Sequence, residues 1–92
     1  MADILITMDH DKSAQEVKRL LKAAMKKEAD KFGVETTWRG DICHFGGPVT
    51  GTLTVAEKDV EVELFLGLLT KPFKKEIARN IERALQVTLH GD

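Results

Sequence analysis

The sequence has a single cysteine and no long apolar run. Cys43 cannot form an internal disulfide, and no apolar stretch approaches the ~18 residues of a transmembrane helix. The first residues, MADILITMDHD, are acidic rather than basic and contain no small-residue cleavage site, so they do not match a signal peptide. We therefore expect a protein of the reducing cytoplasm with no transmembrane segment.

Motifs for catalysis and cofactor binding are also absent. The sequence contains no phosphate-binding loop, no dinucleotide fingerprint and no Ser-His-Asp arrangement. Cys43 and His44 are neighbours on a predicted strand, so they point to opposite faces and cannot share one metal ion. His10 and His90 are predicted to be solvated, because they lie near a loop and near the end of the chain. We expect no catalytic residue, no metal site, no cofactor and hence no enzyme.

Charge is distributed unevenly along a chain whose net charge is −1. Residues 12–32 carry +4 and residues 71–90 carry +3, whereas residues 34–63 carry −4. Both basic segments are predicted helices, and the charged face of an amphipathic helix is usually just solvated. RNA-binding sheets display aromatic side chains, and Phe65 is the only aromatic residue predicted on the outer sheet face. We expect no specific nucleic-acid partner, although weak attraction to an anionic surface remains open.

The first third of the chain predicts a strand followed by an amphipathic helix. Apolar residues alternate over residues 4–8, as in a short strand. Ser13 and Glu16 then match a capping box, and apolar residues recur at helical spacing up to Phe32. Gly33 stands where a helix ends in a left-handed residue.

After the helix the apolar period changes to strict alternation. A two-residue turn at residues 40–41 would pair Trp38 with Cys43 and place both of them, with Phe45, on one face. On that face a free cysteine behaves as a small buried hydrophobe. Two further alternating segments, residues 53–55 and 60–66, complete an antiparallel meander.

The last predicted element is a helix from about Pro72 to Leu89, with the proline in its first turn. Its apolar stripe consists of Phe73, Ile77, Ile81, Ala84, Leu85 and Leu89. The sequence therefore predicts one α+β domain over residues 1–92 with the order β-α-β-β-β-α. Its two layers are an antiparallel meander sheet and two amphipathic helices on one face of that sheet.

The stretch LFLGLLTKPFKKEI, residues 64–77, raises a question about burial. Leu68 and Leu69 follow Gly67, where a strand should end and a polar connection to the helix is usual. We expect the two leucines to tuck under the final helix, whereas their exposure beside the lysines would favour a surface-binding role. Leu64, Leu66, Phe73 and Ile77 are predicted core residues. The candidate surface- or partner-binding residues are Phe65, Leu68, Leu69, Lys71, Lys74, Lys75 and His44.

The outer face of the predicted sheet is a second candidate surface. Leu5, Ile42 and Phe65 are predicted there among threonine and glutamate side chains. An open sheet face with such residues could bind a ligand or a second copy of the chain, but scattered exposed hydrophobic residues are also ordinary. The sequence does not determine the strand order, so both interpretations stay open.

Three segments carry a family resemblance that covers nearly the whole chain. They are FGVETTWRGDICHF (residues 32–45), GTLTV (residues 51–55) and VEVELFLGLL (residues 60–69). With these segments the chain resembles the putative polyhydroxyalkanoic acid system protein family, whose members are small bacterial proteins of about this length. The most recognisable features are Phe-Gly-Val, Trp-x-Gly-Asp, His-Phe and the Leu-Gly before a basic final helix.

The resemblance implies an association with polyhydroxyalkanoate storage granules and no established activity or catalytic residues. The family's recurrent positions in this chain are Gly33, Trp38, Gly40, Asp41, His44, Phe45 and Gly67. A helix stop, a turn and the core account for all of them except His44 and Gly67.

We therefore expect a non-enzymatic protein that binds the granule surface or another granule protein. Two alternatives are a carrier of a small acyl or hydroxyacyl ligand, which would need a pocket, and a homodimeric interaction module.

Overall fold

The chain forms five strands and two helices in the order β-α-β-β-β-β-α in the computed structural model, which describes residues 1–91. The strands are β1 (Ile4–Asp9), β2 (Glu35–Arg39), β3 (Ile42–Gly46), β4 (Val49–Val55) and β5 (Asp59–Leu66). The helices are α1 (Ala14–Lys31) and α2 (Lys74–His90), and a single 3₁₀ turn at Lys71–Phe73 precedes α2.

All strands belong to one antiparallel sheet with the order β1-β5-β4-β3-β2. The predicted α+β class and the antiparallel sheet are confirmed, but the sheet has one strand more than predicted. The alternating segments identified after the first helix form four strands, β2 to β5, whereas the predicted order counted three. β4 also begins earlier than the predicted segment 53–55, at Val49, because Gly51 interrupts the apolar alternation there.

Alternation along each strand separates a buried face from an exposed face. The predicted hairpin register is confirmed, because Trp38 pairs with Cys43. The same row continues through Leu53 and Val62 to Ile6 on β1. Cys43, Leu53 and Val62 are fully buried. This row runs across the whole sheet under the helices and forms the floor of the core.

Helix α1 begins and ends at the predicted signals. The Ser13 hydroxyl accepts a hydrogen bond from the Glu16 N–H at 3.1 Å, and Gly33 has a φ of 68°. The Glu16 carboxylate does not reach back to complete a capping box; it accepts a hydrogen bond from Arg19 Nε at 2.8 Å. The buried stripe of α1 contains Val17, Leu21, Met25 and Ala29.

Helix α2 packs against α1 and lies over β1. Ile77, Leu85 and Leu89 are its buried residues, and Gly91 ends it with a φ of 76°. Within residues 1–91, neither helix is long and apolar enough to cross a membrane.

Gly51 marks a close contact between β4 and β5. Its φ is 138°, a region that favours glycine, and a Cβ atom there would overlap the Glu63 carbonyl oxygen. Because Gly51 is the partner of Leu64 in the ladder, the missing side chain lets these two strands pair directly before β5 leaves the sheet.

Candidate surface-binding site

The chain leaves the sheet at the end of β5 through a tightly held turn. The Gly67 N–H donates to the Pro48 carbonyl at 3.3 Å, and the Gly67 carbonyl accepts from the N–H groups of Thr70 at 3.2 Å and Lys71 at 3.0 Å. One residue earlier, the Leu66 N–H donates to the Asp3 carboxylate at 2.8 Å. The base of the turn is therefore bonded to two other parts of the sheet.

Thr70 anchors the turn from the inside. It is only 7% exposed, and its Oγ1 lies 3.0 Å from the Pro48 carbonyl oxygen and 3.2 Å from the Gly67 carbonyl oxygen. Since a hydroxyl has one proton to donate, it serves these two acceptors alternately. Thr70 thus takes the inward position in the turn, and the residues before it point away from the protein.

Leu68 and Leu69 lie at the tip of this turn and are 87% and 86% exposed. The prediction that they tuck under the final helix is wrong. The physical reason is that the hydrogen bonds of Gly67 and Thr70 hold the turn against Pro48 with Thr70 on the inside, so the two leucines lie on the outside. The two leucines are instead exposed, which is the alternative that favours a surface-binding role.

Phe73 adds a third apolar side chain beside the leucines. It was predicted as a core residue, but it is 51% exposed, so that prediction is wrong. The predicted helix began at about Pro72, whereas α2 begins at Lys74 after the 3₁₀ turn. This change of helical geometry moves Phe73 away from the stripe that continues with Ile77, which is buried.

Three lysines complete the segment, which we call the tip (residues 67–75). Lys71, Lys74 and Lys75 are all exposed, and the tip contains no acidic residue. The ion pairs recorded among residues 1–91 join side chains within α1, so none of them involves these lysines. The tip therefore presents leucines and a phenylalanine beside three cationic groups.

The other two predicted surface residues lie on the sheet rather than on the tip. Phe65 is 39% exposed on the outer face of β5, two residues before Gly67. His44 is exposed on the outer face of β3, with Thr37 and Thr52 as its ladder partners. The structure thus places Phe65 near the tip and His44 two strands away from it.

His10 and His90 stabilise the opposite end of the sheet. His10 was predicted to be solvated but is 7% exposed, so that prediction is wrong. Its Nδ1 accepts from the Lys12 N–H at 3.2 Å, which leaves Nε2 to donate to the Ala56 carbonyl at 2.9 Å. His90 Nε2 lies 2.9 Å from the carbonyl oxygen of Asp9 and remains exposed. The His10 imidazole thus joins two loops, and the His90 imidazole joins the end of α2 to the end of β1.

Cys43 is a buried thiol of low reactivity. Burial raises its pKa from 9.0 to about 11, and a hydrogen bond from the backbone of Thr37 offsets only part of that rise. Since the thiolate is the reactive form, Cys43 acts as a core residue, as predicted. Among residues 1–91, no three His, Cys, Asp or Glu side chains gather as metal ligands would.

The sequence interpretation missed Thr70 and Phe73 as parts of the site. Thr70 is the only polar uncharged residue between Gly67 and Lys71, and that position could have indicated an anchored turn. No local signal shows that its partner is the Pro48 carbonyl, because the two residues are far apart in the sequence.

The fold and the tip define a small α+β protein with an apolar and basic turn at one end of its sheet. Residues 4–89 match the family described as "Putative polyhydroxyalkanoic acid system protein", and the chain belongs to this family. The family description links the chain to the polyhydroxyalkanoate system. No curated protein and no solved structure matches the chain.

Proposed function

We propose that this chain is a non-enzymatic cytoplasmic protein that attaches to the surface of polyhydroxyalkanoate storage granules through the tip. The observation that carries the proposal is the exposure of Leu68 and Leu69, at 87% and 86%, on a turn held by hydrogen bonds. Because these leucines are already exposed, they can be buried in an apolar surface without any loss of packing in the core. The family description names the polyhydroxyalkanoic acid system, whose polymer granules would present such an apolar surface.

The apolar side chains supply the main driving force for attachment. Fully burying one leucine stabilises by about 1.5–3 kcal/mol, so Leu68 and Leu69 together contribute about 3–6 kcal/mol. Phe73 is half-exposed already and adds less than a full side chain. With about 1 kcal/mol from each of the three lysines, the total of about 6–9 kcal/mol corresponds to dissociation constants between about 40 μM and about 0.3 μM. The attachment is therefore reversible.

The three lysines of the tip favour binding to a granule surface that carries negative charge. Lys74 and Lys75 occupy the first turn of α2, where cations oppose the helix dipole by about 0.3–1 kcal/mol each. No side chain caps this end of the helix either. The lysines therefore do not stabilise the helix, whereas each contributes about 1 kcal/mol near an anionic surface.

Within residues 1–91, the space between the sheet and the helices is too small for the ligand that the carrier alternative requires. The apolar cleft between the helices and the sheet, lined by Met25, Phe32, Phe45 and Ile81 among others, has a volume of about 30 Å³. Sites for small organic ligands have volumes of about 300–1,000 Å³. A cleft of this size accommodates about one water molecule, so attachment by the tip is the function that the geometry favours.

Co-sedimentation with purified granules tests the proposal. We expect Leu68→Ser/Leu69→Ser to lower the association constant at least about tenfold, since it removes most of the apolar area that would be buried. The matched control is Leu5→Ser/Val87→Ser, which removes two other exposed apolar side chains and should bind normally. Equal binding by the tip variant and the wild type would refute the proposal.

A second pair of variants separates charge from apolar contact. Lys74→Gln/Lys75→Gln should weaken granule binding and reduce its dependence on salt, because screening acts on the charge contribution alone. Lys22→Gln/Lys27→Gln removes the same charge from exposed positions of α1 and should have no such effect. Equal loss in both pairs would show that net charge, rather than the tip, controls attachment.

A further inference from the structure

The edge strand β1 leaves part of its backbone without a partner. His10 follows this strand, and its N–H donates to the Lys58 carbonyl at 2.9 Å in the register of β1 with β5. Since hydrogen-bonded pairs alternate along an antiparallel ladder, the even-numbered residues of β1 bond to β5. The odd-numbered residues therefore direct their N–H and C=O groups away from the sheet, and these residues are Leu5, Thr7 and Asp9.

Helix α2 covers one end of this open edge. The Asp9 carbonyl oxygen lies 2.9 Å from His90 Nε2, so the end of α2 occupies the last outward carbonyl. Among residues 1–91, no hydrogen bond joins the outward groups of Leu5 and Thr7 to another part of the chain. Both residues are exposed. The free part of the edge therefore spans residues 4–8.

The two edges of the sheet differ in how they are protected. Strand β2 carries Glu35 and Arg39 at its ends, and Lys18 Nζ lies 5.8 Å from the centre of the Trp38 ring on this strand. Charged side chains at an edge oppose its pairing with another strand. Residues 4–8 of β1 contain no charged side chain and are mostly apolar. β1 is thus the edge at which a further strand can pair.

A groove runs beside this edge on the helix side of the sheet. Met8 lines it from β1, and α2 contributes Arg79, Glu82, Arg83 and Gln86. The groove has a volume of about 290 Å³. Its two arginines outnumber its one glutamate, and the ion pairs recorded among residues 1–91 all lie within α1. Neither guanidinium group is therefore neutralised by an ion pair.

A strand added here would meet free backbone groups, an apolar strand and two cations. We propose that β1 binds an extended acidic segment of a partner protein as an additional strand, with a carboxylate of that segment beside Arg79 and Arg83. Addition of a strand to an open sheet edge is a recurring mode of peptide recognition. The segment runs antiparallel to β1, because antiparallel pairs are the more stable ones per residue.

The free groups of β1 fix the register of the bound segment. Its residues opposite Leu5 and Thr7 exchange both backbone hydrogen bonds with β1, and His90 stops the pairing beyond Met8. Side chains opposite Ile6 and Met8 point to the helix side of the sheet and enter the groove. The residue opposite Met8 lies nearest the arginines and is the acidic one, whereas an apolar residue covers the half-buried Ile6.

A second copy of the chain fits this edge less well. Pairing of β1 with β1 about a two-fold axis would bring the α2 helices of both copies together, because α2 lies over β1. Arg79 and Arg83 would then approach the same arginines of the other copy. On the helix side β1 carries only apolar residues, at positions 4, 6 and 8, so it supplies no carboxylate to neutralise them. The charge of the groove therefore favours an acidic segment of a different protein.

Fluorescence anisotropy of two labelled peptides tests the proposal. The end-blocked peptide Glu-Thr-Val-Val-Val places its glutamate opposite Met8, and Lys-Thr-Val-Val-Val is the matched control. With the chain titrated to about 1 mM, we expect saturable binding of the acidic peptide and at least about threefold weaker binding of the lysine peptide. Arg79→Glu/Arg83→Glu should reverse this preference, because it reverses the charge of the groove.

Thr7→Pro tests the backbone contribution. The Thr7 N–H points to the open edge, so the proline removes a bond to the peptide and none to β5. The association constant should fall at least about tenfold. Thr36→Pro is the control on β2, where the Thr36 N–H also points outward because its partner Phe45 bonds to β4. This control should bind the peptide normally.

Circular dichroism establishes that the variants are folded, and the arginine variant, changed at exposed positions, decides the question if the proline variant is not. Absence of saturable binding up to about 1 mM would refute the proposal. So would equal affinity for the two peptides, or a folded Thr7→Pro variant that binds like the wild type. A wild-type chain that dimerises at these concentrations, and that Thr7→Pro makes monomeric, would assign the edge to a second copy and overturn the proposal as well.

Discussion

Replacing Thr70 by valine tests whether the tip is held in place from inside the protein. The substitution keeps the shape of the side chain and removes only the hydroxyl. That hydroxyl lies 3.0 Å from the Pro48 carbonyl oxygen and 3.2 Å from the Gly67 carbonyl oxygen. In the variant the Pro48 carbonyl keeps one partner, the Gly67 N–H at 3.3 Å.

The expected loss of stability follows from these contacts. One neutral hydrogen bond contributes about 0.5–1.5 kcal/mol. Since both acceptors belong to exposed residues, Pro48 and Gly67, we expect Thr70→Val to lower the free energy of unfolding by about 0.5–1.5 kcal/mol. For a domain of this size, each kcal/mol lowers the melting temperature by about 4–8 °C.

Urea unfolding followed by the fluorescence of Trp38 measures the change. Thr7→Val is the matched control, because Thr7 is exposed on β1 and a surface change of this kind should alter stability by less than about 0.5 kcal/mol. The Thr70 variant should also bind granules less tightly, since the leucines must then be ordered on binding. Unfolding midpoints that agree for the variant and the wild type would refute the anchoring role.

Two further predictions concern buried side chains away from the tip. His10→Ala leaves the Ala56 carbonyl and the Lys12 N–H without their partner and should cost about 1–3 kcal/mol in urea unfolding, whereas His44→Ala should cost less than about 0.5 kcal/mol. Equal effects would contradict the buried role of His10. Burial raises the pKa of Cys43 to about 11 from 9.0, so its reaction with a disulfide reagent should quicken as the pH rises towards 11. The thiol ionises at a lower pH in the unfolded chain than in the native protein, so the free energy of unfolding should fall as the pH rises from 9.0 to about 11. Cys43→Ala should not show this decrease. A native thiol as reactive as the denatured one would contradict this assignment.

Residues close in the sequence account for the parts of the fold that were predicted correctly. Ser13 and Gly33 bound α1 because a cap and a left-handed residue act within one helical turn. The Trp38↔Cys43 register follows from a two-residue turn between them. Period-2 alternation identified the buried faces, because side chains of a strand point alternately to opposite sides.

Contacts between distant residues account for the predictions that were wrong. His10 is buried because it reaches the Ala56 carbonyl, 46 residues away. Leu68 and Leu69 are exposed because Thr70 reaches the Pro48 carbonyl, 22 residues away. Hydropathy alone favours burying two leucines, and nothing in their neighbourhood in the sequence indicates the competing hydrogen bonds.

The sequence by itself determined the α+β class, the amphipathic helices, the hairpin register and the membership of the polyhydroxyalkanoic acid system family. The tertiary structure alone decided the strand order β1-β5-β4-β3-β2 and the exposure of the tip. The physical reason is the range of the interactions. Propensity, capping and alternation act over a few residues, whereas the pairing of β1 with β5 and the bond from Thr70 to Pro48 form only when distant segments meet.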